Sequence, residues 1–251
     1  LEMIGVGKSY FFIVALYSMS FGFVMMIPGI PNTSYGLAHS VFADLKGGLS
    51  YIKINPFLLG LLVVAFIVNL TAFPLNTLLV VIAREVMTID ARGLGWLMGA
   101  YATGALMGSL IISYFSNMRR ASRAMLIGAV LWHIGIITMA YTKWFYVSLP
   151  ILVFLGVSQS FTMVTMAMLL LRYTSEEMRG RVMGLRQLAV YGLPVGLLIS
   201  GFVTEATNVS LALVFNGLLG LILLGLIIIT LPAMLAHIAN NVVSANRLGE
   251  D

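Results

Sequence analysis

Long apolar stretches alternate with short gaps that hold nearly all of the charge. Seven such stretches cover residues 9–30, 57–83, 93–115, 124–141, 144–171, 187–203 and 206–236. Each reaches or approaches the ~20 residues that an α-helix needs to cross about 30 Å of hydrocarbon. The shortest, 187–203, needs one more turn from 182–186, with Arg186 reaching outward to the surface. None has the ten-residue alternation of an outer-membrane strand, and none has the polar face of a helix in a water-soluble protein. The pattern predicts an all-α, polytopic membrane bundle of seven transmembrane helices.

Composition agrees. Of 251 residues, 60% are hydrophobic and only 9% charged, against roughly 25% charged in soluble domains. The 14 Lys+Arg outnumber the 9 Asp+Glu. They are scattered between the apolar runs, which speaks for membrane topology and against nucleic acid as a partner. The chain has no cysteine, so disulfides, thiolate metal sites and thiol nucleophiles are excluded. Taking the gaps alternately, ten basic residues fall on one set and four on the other. The positive-inside rule then places the amino end outside and the carboxyl end in the cytoplasm.

The one long connection is 31–56. Within it Phe42, Leu45, Leu49 and Ile52 share a helical face, away from most of Asp44, Lys46 and Lys53. This predicts a short amphipathic helix along the cytoplasmic surface, weakened by Gly47-Gly48. Small residues recur at helical spacing elsewhere: Ala100, Gly104 and Gly108 on the third span, with Gly95 and Gly99 before them. On the sixth, Gly192 and Gly196 flank Pro194, followed by Gly201. Such spacing lets backbones approach closely in lipid, for static packing or for helices that rock against each other.

Pro74 interrupts the second span among Asn69, Thr71 and Asn76. A mid-helix proline frees a carbonyl that needs a partner or a cavity. The three polar residues either supply that partner or line a substrate path. Asn69 and Asn76, seven residues apart, are expected on nearly one face. His133, Gln159, Thr162 and Asn216 complete the set of polar candidates for the path. His133 reads as an interhelical hydrogen-bonding group or as a proton relay. No span contains Asp or Glu in its interior; Glu85 and Glu205 lie at outer edges. No two acidic or histidine residues share ligand spacing on a helix, so neither a metal nor another cofactor is expected. Gly156-Val-Ser158-Gln-Ser160 lacks the closing glycine of a nucleophile turn, and no enzymatic activity is expected.

Arg172, Glu176, Glu177, Arg179, Gly180, Arg181, Val182 and Gly184, followed by Gly192, Pro194, Gly196 and Gly201, resemble the major facilitator superfamily. The likeness is to its enterobactin- and macrolide-exporter branch, at the loop between helices 10 and 11 and at helix 11. Arg119, Arg120 and Arg123 occupy the place of the family's basic loop between helices 8 and 9, though Ser116 and Asn117 depart from its motif. Residues 44–56 look like its surface helix leading into helix 7. The resemblance implies that 1–30 is the last helix of an amino-terminal half, 31–56 a cytoplasmic linker, 57–236 a six-helix transport domain and 237–251 a cytoplasmic tail. It further implies a secondary transporter of a bacterial inner or plasma membrane, exporting a drug-, macrolide- or siderophore-like molecule. The expected partners are the lipid bilayer, a small-molecule substrate, protons as coupling ion, and the amino-terminal half of the same carrier. Arg179 and Arg181 are placed to pair with Glu176 and Glu177 or with lipid phosphates. A non-transporting scaffold is the alternative reading. A seven-helix receptor shares the topology, but the familiar receptor motifs and a retinal-binding lysine in the last helix are missing.

Overall fold

The computed structural model describes residues 6–26, 41–114 and 121–230, and among these there are helices and no strand. They divide into two units, 1–40 and 41–251. The first contributes α1 (Val6–Met25), which starts three residues before the first expected span and whose apolar part is Ile13–Met25; residues 27–30 of that span lie outside the described residues.

The second unit opens with α2 (Val41–Ile54), at the place of the expected amphipathic helix. Asn55 caps the next helix, its side chain accepting the Phe57 and Leu58 amides at 3.2 and 3.4 Å. Pro56 takes the first helical position, where no N–H is needed. α3 (Pro56–Thr71) stops at a turn over Ala72, Phe73 and Pro74, resumes as α4 (Leu75–Val81) and runs into a π-helical turn, Ile82–Val86. Then follow α5 (Ala91–Tyr114), α6 (Ala121–Ala140), α7 (Phe145–Arg172), α8 (Arg179–Leu188), α9 (Gly192–Ala206) and α10 (Val209–Thr230). Short 3-10 turns, Glu176–Met178 and Ala189–Tyr191, flank α8. Six runs are long and apolar enough to cross a membrane: Pro56–Val86, α5, α6, α7, Glu176–Ala206 and α10.

Among the boundaries that differ from expectation, two have a clear local cause. The sixth span begins its final helix at Gly192, not at 187, and its extra turns come from α8 and a 3-10 turn rather than one continuous helix. Pro194 explains this, since a residue without an N–H is best placed in the first turn of a new helix. The last span begins at Val209 rather than 206, because Asn208 accepts the Leu211 amide at 2.9 Å and starts the helix there. Residues 231–236 of that span, the tail 237–251, and Ser116, Asn117, Arg119 and Arg120 lie outside the described residues.

Lipid is as apolar as leucine, so helices in a membrane associate through close packing rather than expulsion from water. Glycine provides that closeness. A Cβ on Gly104 would strike the Val153 carbonyl of α7, and one on Gly156 would strike the Tyr101 carbonyl of α5. At Gly108 it would meet Ser160 Cβ at 2.8 Å. Ser160 also donates to the Ala105 carbonyl at 2.6 Å, so α5 and α7 are joined by a hydrogen bond as well as by backbone contact. Gly128 and Gly135 do the same for α6 against α7, and Gly217 and Gly220 for α10 against α6. By contrast, a Cβ on Gly95, Gly99 or Gly201 would meet nothing within 4 Å. The packing order runs α5, α7, α6, α10, with α10 also on α9 and α3, and α3 on α9.

The Gly47-Gly48 pair does not simply weaken α2. A Cβ on Gly48 would lie 3.0 Å from Leu185 Cδ1 and 3.3 Å from Arg181 Cβ, and one on Gly47 would lie 3.3 Å from Arg181 Nη1. The two glycines are where α2 docks on α8.

Candidate functional site

The break in the first membrane-length run brings buried Asn69, Thr71 and His133 into one region. In an unbroken helix, residue 74 would donate to the Leu70 carbonyl. Pro74 has no N–H, and the Leu75 amide turns to the Ala72 carbonyl at 3.2 Å while the Ala72 and Phe73 amides both bond the Val68 carbonyl. The Leu70 carbonyl faces Gly196 of α9, where a Cβ would collide with it. Gly192, one turn earlier, lies in the same way against the Phe66 carbonyl, at 2.8 Å from a built Cβ. Two glycines four residues apart thus seat α9 on the carbonyls just before the break.

Asn69 and Asn76 do not share a face. Asn69 is buried and donates to the Ala65 carbonyl of its own helix at 2.8 Å. Asn76 is exposed, 3.4 Å from the Phe73 carbonyl. The turn at 72–74 interrupts the helical phase, so a seven-residue spacing no longer returns to the same side.

Thr71 and His133 tie the break to α6. Both are buried, with Thr71 Oγ1 2.8 Å from His133 Nε2, and His133 Nδ1 2.8 Å from the Ala129 carbonyl. A carbonyl only accepts, so Nδ1 carries the proton. The Thr71 hydroxyl donates to the Ile67 carbonyl of its own helix at 2.7 Å and is also the partner of Nε2. Gly220 leaves the room that His133 occupies on the α10 side. Both ring nitrogens of His133 thus have a hydrogen-bond partner.

Asn216 is likewise engaged, donating to Ser200 Oγ at 2.8 Å, while Ser200 donates to the Gly196 carbonyl at 2.6 Å. Thr162 bonds the Ser158 carbonyl at 2.9 Å within α7. Gln159 is half-buried on the same helix. Arg179 pairs with Glu176 at 3.3 Å on an exposed surface, a contact of little energetic weight. Gly180 sits in open space beside it, Arg181 lies against α2, and Arg123 is half-exposed near the start of α6. The structure therefore brings Thr71, His133, Pro74 and Gly196 together around the break. It leaves Asn76 and Gln159 at accessible or half-accessible positions.

An aromatic group beside the break was not legible in the sequence. Phe73, within the turn, meets Trp132 edge-to-face at 5.3 Å and 76°. Trp132 is fully buried, and its Nε1 neighbours the Tyr101 hydroxyl. By strict geometry neither atom closes a hydrogen bond among the described residues. No local motif signals this cluster, because its members come from three separate helices. The four-residue spacing of Ala100, Gly104 and Gly108 did signal close helix packing on the third span.

Among the described residues no group of three His, Cys, Asp or Glu is placed to hold a metal ion. The profile of the Major Facilitator Superfamily matches residues 57–243. No curated protein matches the chain.

Proposed function

The chain belongs to the Major Facilitator Superfamily, and from that membership we propose a transporter that exports a large, neutral or weakly polar molecule across a bacterial plasma membrane. Membership supports secondary transport across a membrane in general. The neutrality of the bundle interior carries the finer reading. Thr71, His133, Asn69, Asn216, Ser200 and Thr162 are occupied with one another or with backbone carbonyls, and among the described residues no Asp, Glu, Lys or Arg is buried. A site built for an ion or a strongly charged solute would keep a charge in the bundle.

In this reading residues 57–236 form the six-helix carboxyl-terminal domain, with 1–30 and 31–56 as the preceding helix and linker. The family match beginning at residue 57 supports that boundary. The substrate would pass the face that carries Asn76, Phe73 and Gln159, with protons as the coupling ion and the amino-terminal half of the carrier opposite. Asn69, Thr71, His133, Thr162 and Asn216 support that face from behind. Macrolide- and siderophore-like molecules fit the neutral, partly aromatic character of this path.

Replacing Asn76 with leucine should lower efflux of a macrolide by the complete carrier about fivefold, the loss that accompanies one hydrogen bond of about 1 kcal/mol. Membrane levels should stay normal, since the side chain is exposed. Asn69→Leu should reduce the amount of folded protein instead. Unchanged macrolide efflux by Asn76→Leu, with normal expression, would remove Asn76 from the path.

Orientation has its own check. With no native cysteine, a single cysteine at the exposed Glu177 should react with an impermeant maleimide only after the cells are opened. One at the exposed Tyr141 should react on intact cells. The opposite pattern would invert the assigned sides.

A further inference from the structure

The α2–α8 pair has a docked side and an open one. On the docked side lie Gly47 and Gly48 against Arg181 and Leu185, and the fully buried Ile52. The Tyr51 hydroxyl accepts the Ser175 amide at 3.4 Å, and Phe57, just beyond α2, packs edge-to-face on Tyr173 at 5.0 Å. These contacts hold α2 on the segment that links α7 to α8. The open side of α2 carries Lys46, Leu49, Ser50, Lys53 and Ile54. Leu49 is 45% exposed and Ile54 is 82% exposed.

Position makes that exposure informative. Only Asn55 separates α2 from α3, whose next residues are buried and apolar from Phe57 onward. α2 therefore lies at the level where hydrocarbon begins, and its two bare aliphatic side chains have lipid within reach. Around the helical circle Lys46 and Lys53 sit next to Leu49, the arrangement in which an aliphatic stem follows the apolar side chain inward while the ammonium stays among the headgroups. Arg172, exposed in the last turn of α7, adds a third cation. The acidic residues of this region are Asp44 on α2 itself, Glu176, already paired with Arg179, and Glu177.

We propose that the open face of α2, with Lys46, Leu49, Lys53 and Ile54, is a binding surface for anionic phospholipid headgroups, held in place by the docking of α2 on α8. Charge complementarity selects the partner: a zwitterionic headgroup offers these cations no net attraction, whereas phosphatidylglycerol offers a negative charge at the same depth as the lysines. Because the same helix is fixed to α8 through Gly48, lipid held on α2 also restrains the segment leading into α9. The proposal does not depend on which solute is transported.

The absence of native cysteine permits a single-site test on the full chain. Ile54→Cys carrying an environment-sensitive fluorophore is reconstituted in phosphatidylcholine nanodiscs with increasing fractions of phosphatidylglycerol. Its emission should shift to the blue and its quenching by iodide should fall as phosphatidylglycerol rises, and 1 M salt should reverse both. Each lysine is expected to contribute about fivefold to lipid binding. The pair Lys46→Gln and Lys53→Gln should therefore abolish the response over the accessible range, and the pair Lys46→Arg and Lys53→Arg should keep it. Both pairs alter exposed side chains, and matching thermal unfolding would show that α2 remains docked. Equal emission in neutral and anionic discs would overturn the proposal, and so would a full response from the glutamine pair.

Discussion

Gly104→Leu is expected to destroy the folded bundle, and Gly99→Leu, barely more than one turn away on the same helix, to leave it intact. A Cβ at 104 meets the Val153 carbonyl of α7, and a reciprocal Cβ at Gly156 meets the Tyr101 carbonyl and the Ala105 amide of α5. Backbone cannot rotate aside as a side chain can. The helices must separate, losing the Ser160-to-Ala105 hydrogen bond and the packing of Gly108 on Ser160. Overpacking a core by a methylene or two costs about 1–3 kcal/mol; here a whole side chain enters a backbone crossing, and at least about 3 kcal/mol is expected. At Gly99 nothing lies within 4 Å, so leucine there fills open space and gains about 1 kcal/mol of helix propensity at most. The fraction of detergent-solubilised protein that stays monodisperse after heating distinguishes the two. Similar heat resistance in both variants would mean that the crossing is looser than its geometry.

The contrast between those two glycines also marks how far the sequence could be read. Apolar run length is set by the bilayer, so seven membrane-length runs were read from hydropathy, and six of them are membrane-length helices among the described residues. Spacing showed that Gly104 and Gly108 share a face. It could not show that Gly95 and Gly99, with the same spacing, would stand in open space, because a partner helix is a tertiary fact. Gly47-Gly48 reads locally as a helix-weakening pair, and only the presence of Arg181 and Leu185 turns it into a docking point. The polar candidates divide in the same way. Composition marked Asn69, Thr71, His133 and Asn216 as costly residues in lipid needing partners. Which partner each found depended on the break at 72–74 and on the side from which α6, α9 and α10 approached. Helical phase extrapolated across Pro74 placed Asn69 and Asn76 together, and the turn separated them.

Gly196→Ala is expected to show that this break and the α9 glycine form one device. Pro74 leaves the Leu70 carbonyl without its helical donor, and the missing Cβ of Gly196 leaves that carbonyl space against α9. The approach is close enough for a Cα–H···O contact, a weak interaction of about 0.5–1 kcal/mol that recurs where helices touch. A methyl group at 196 removes both the space and the contact, so α3 and α9 must part. Thermal stability should fall well beyond that of Gly201→Ala, whose added Cβ meets nothing within 4 Å. Pro74→Ala changes the other partner: it supplies an N–H that can reclaim the Leu70 carbonyl into a regular helix and draw it back from α9. If the two features are linked, the double variant Pro74→Ala with Gly196→Ala should lose less stability than the sum of the single losses, by at least about 0.5 kcal/mol. Transport should follow the same order if the break works as a hinge, with Gly196→Ala more impaired alone than beside Pro74→Ala. Strict additivity of the two substitutions would mean that Pro74 and Gly196 serve separate ends, one breaking the α3–α4 run and the other only packing α9.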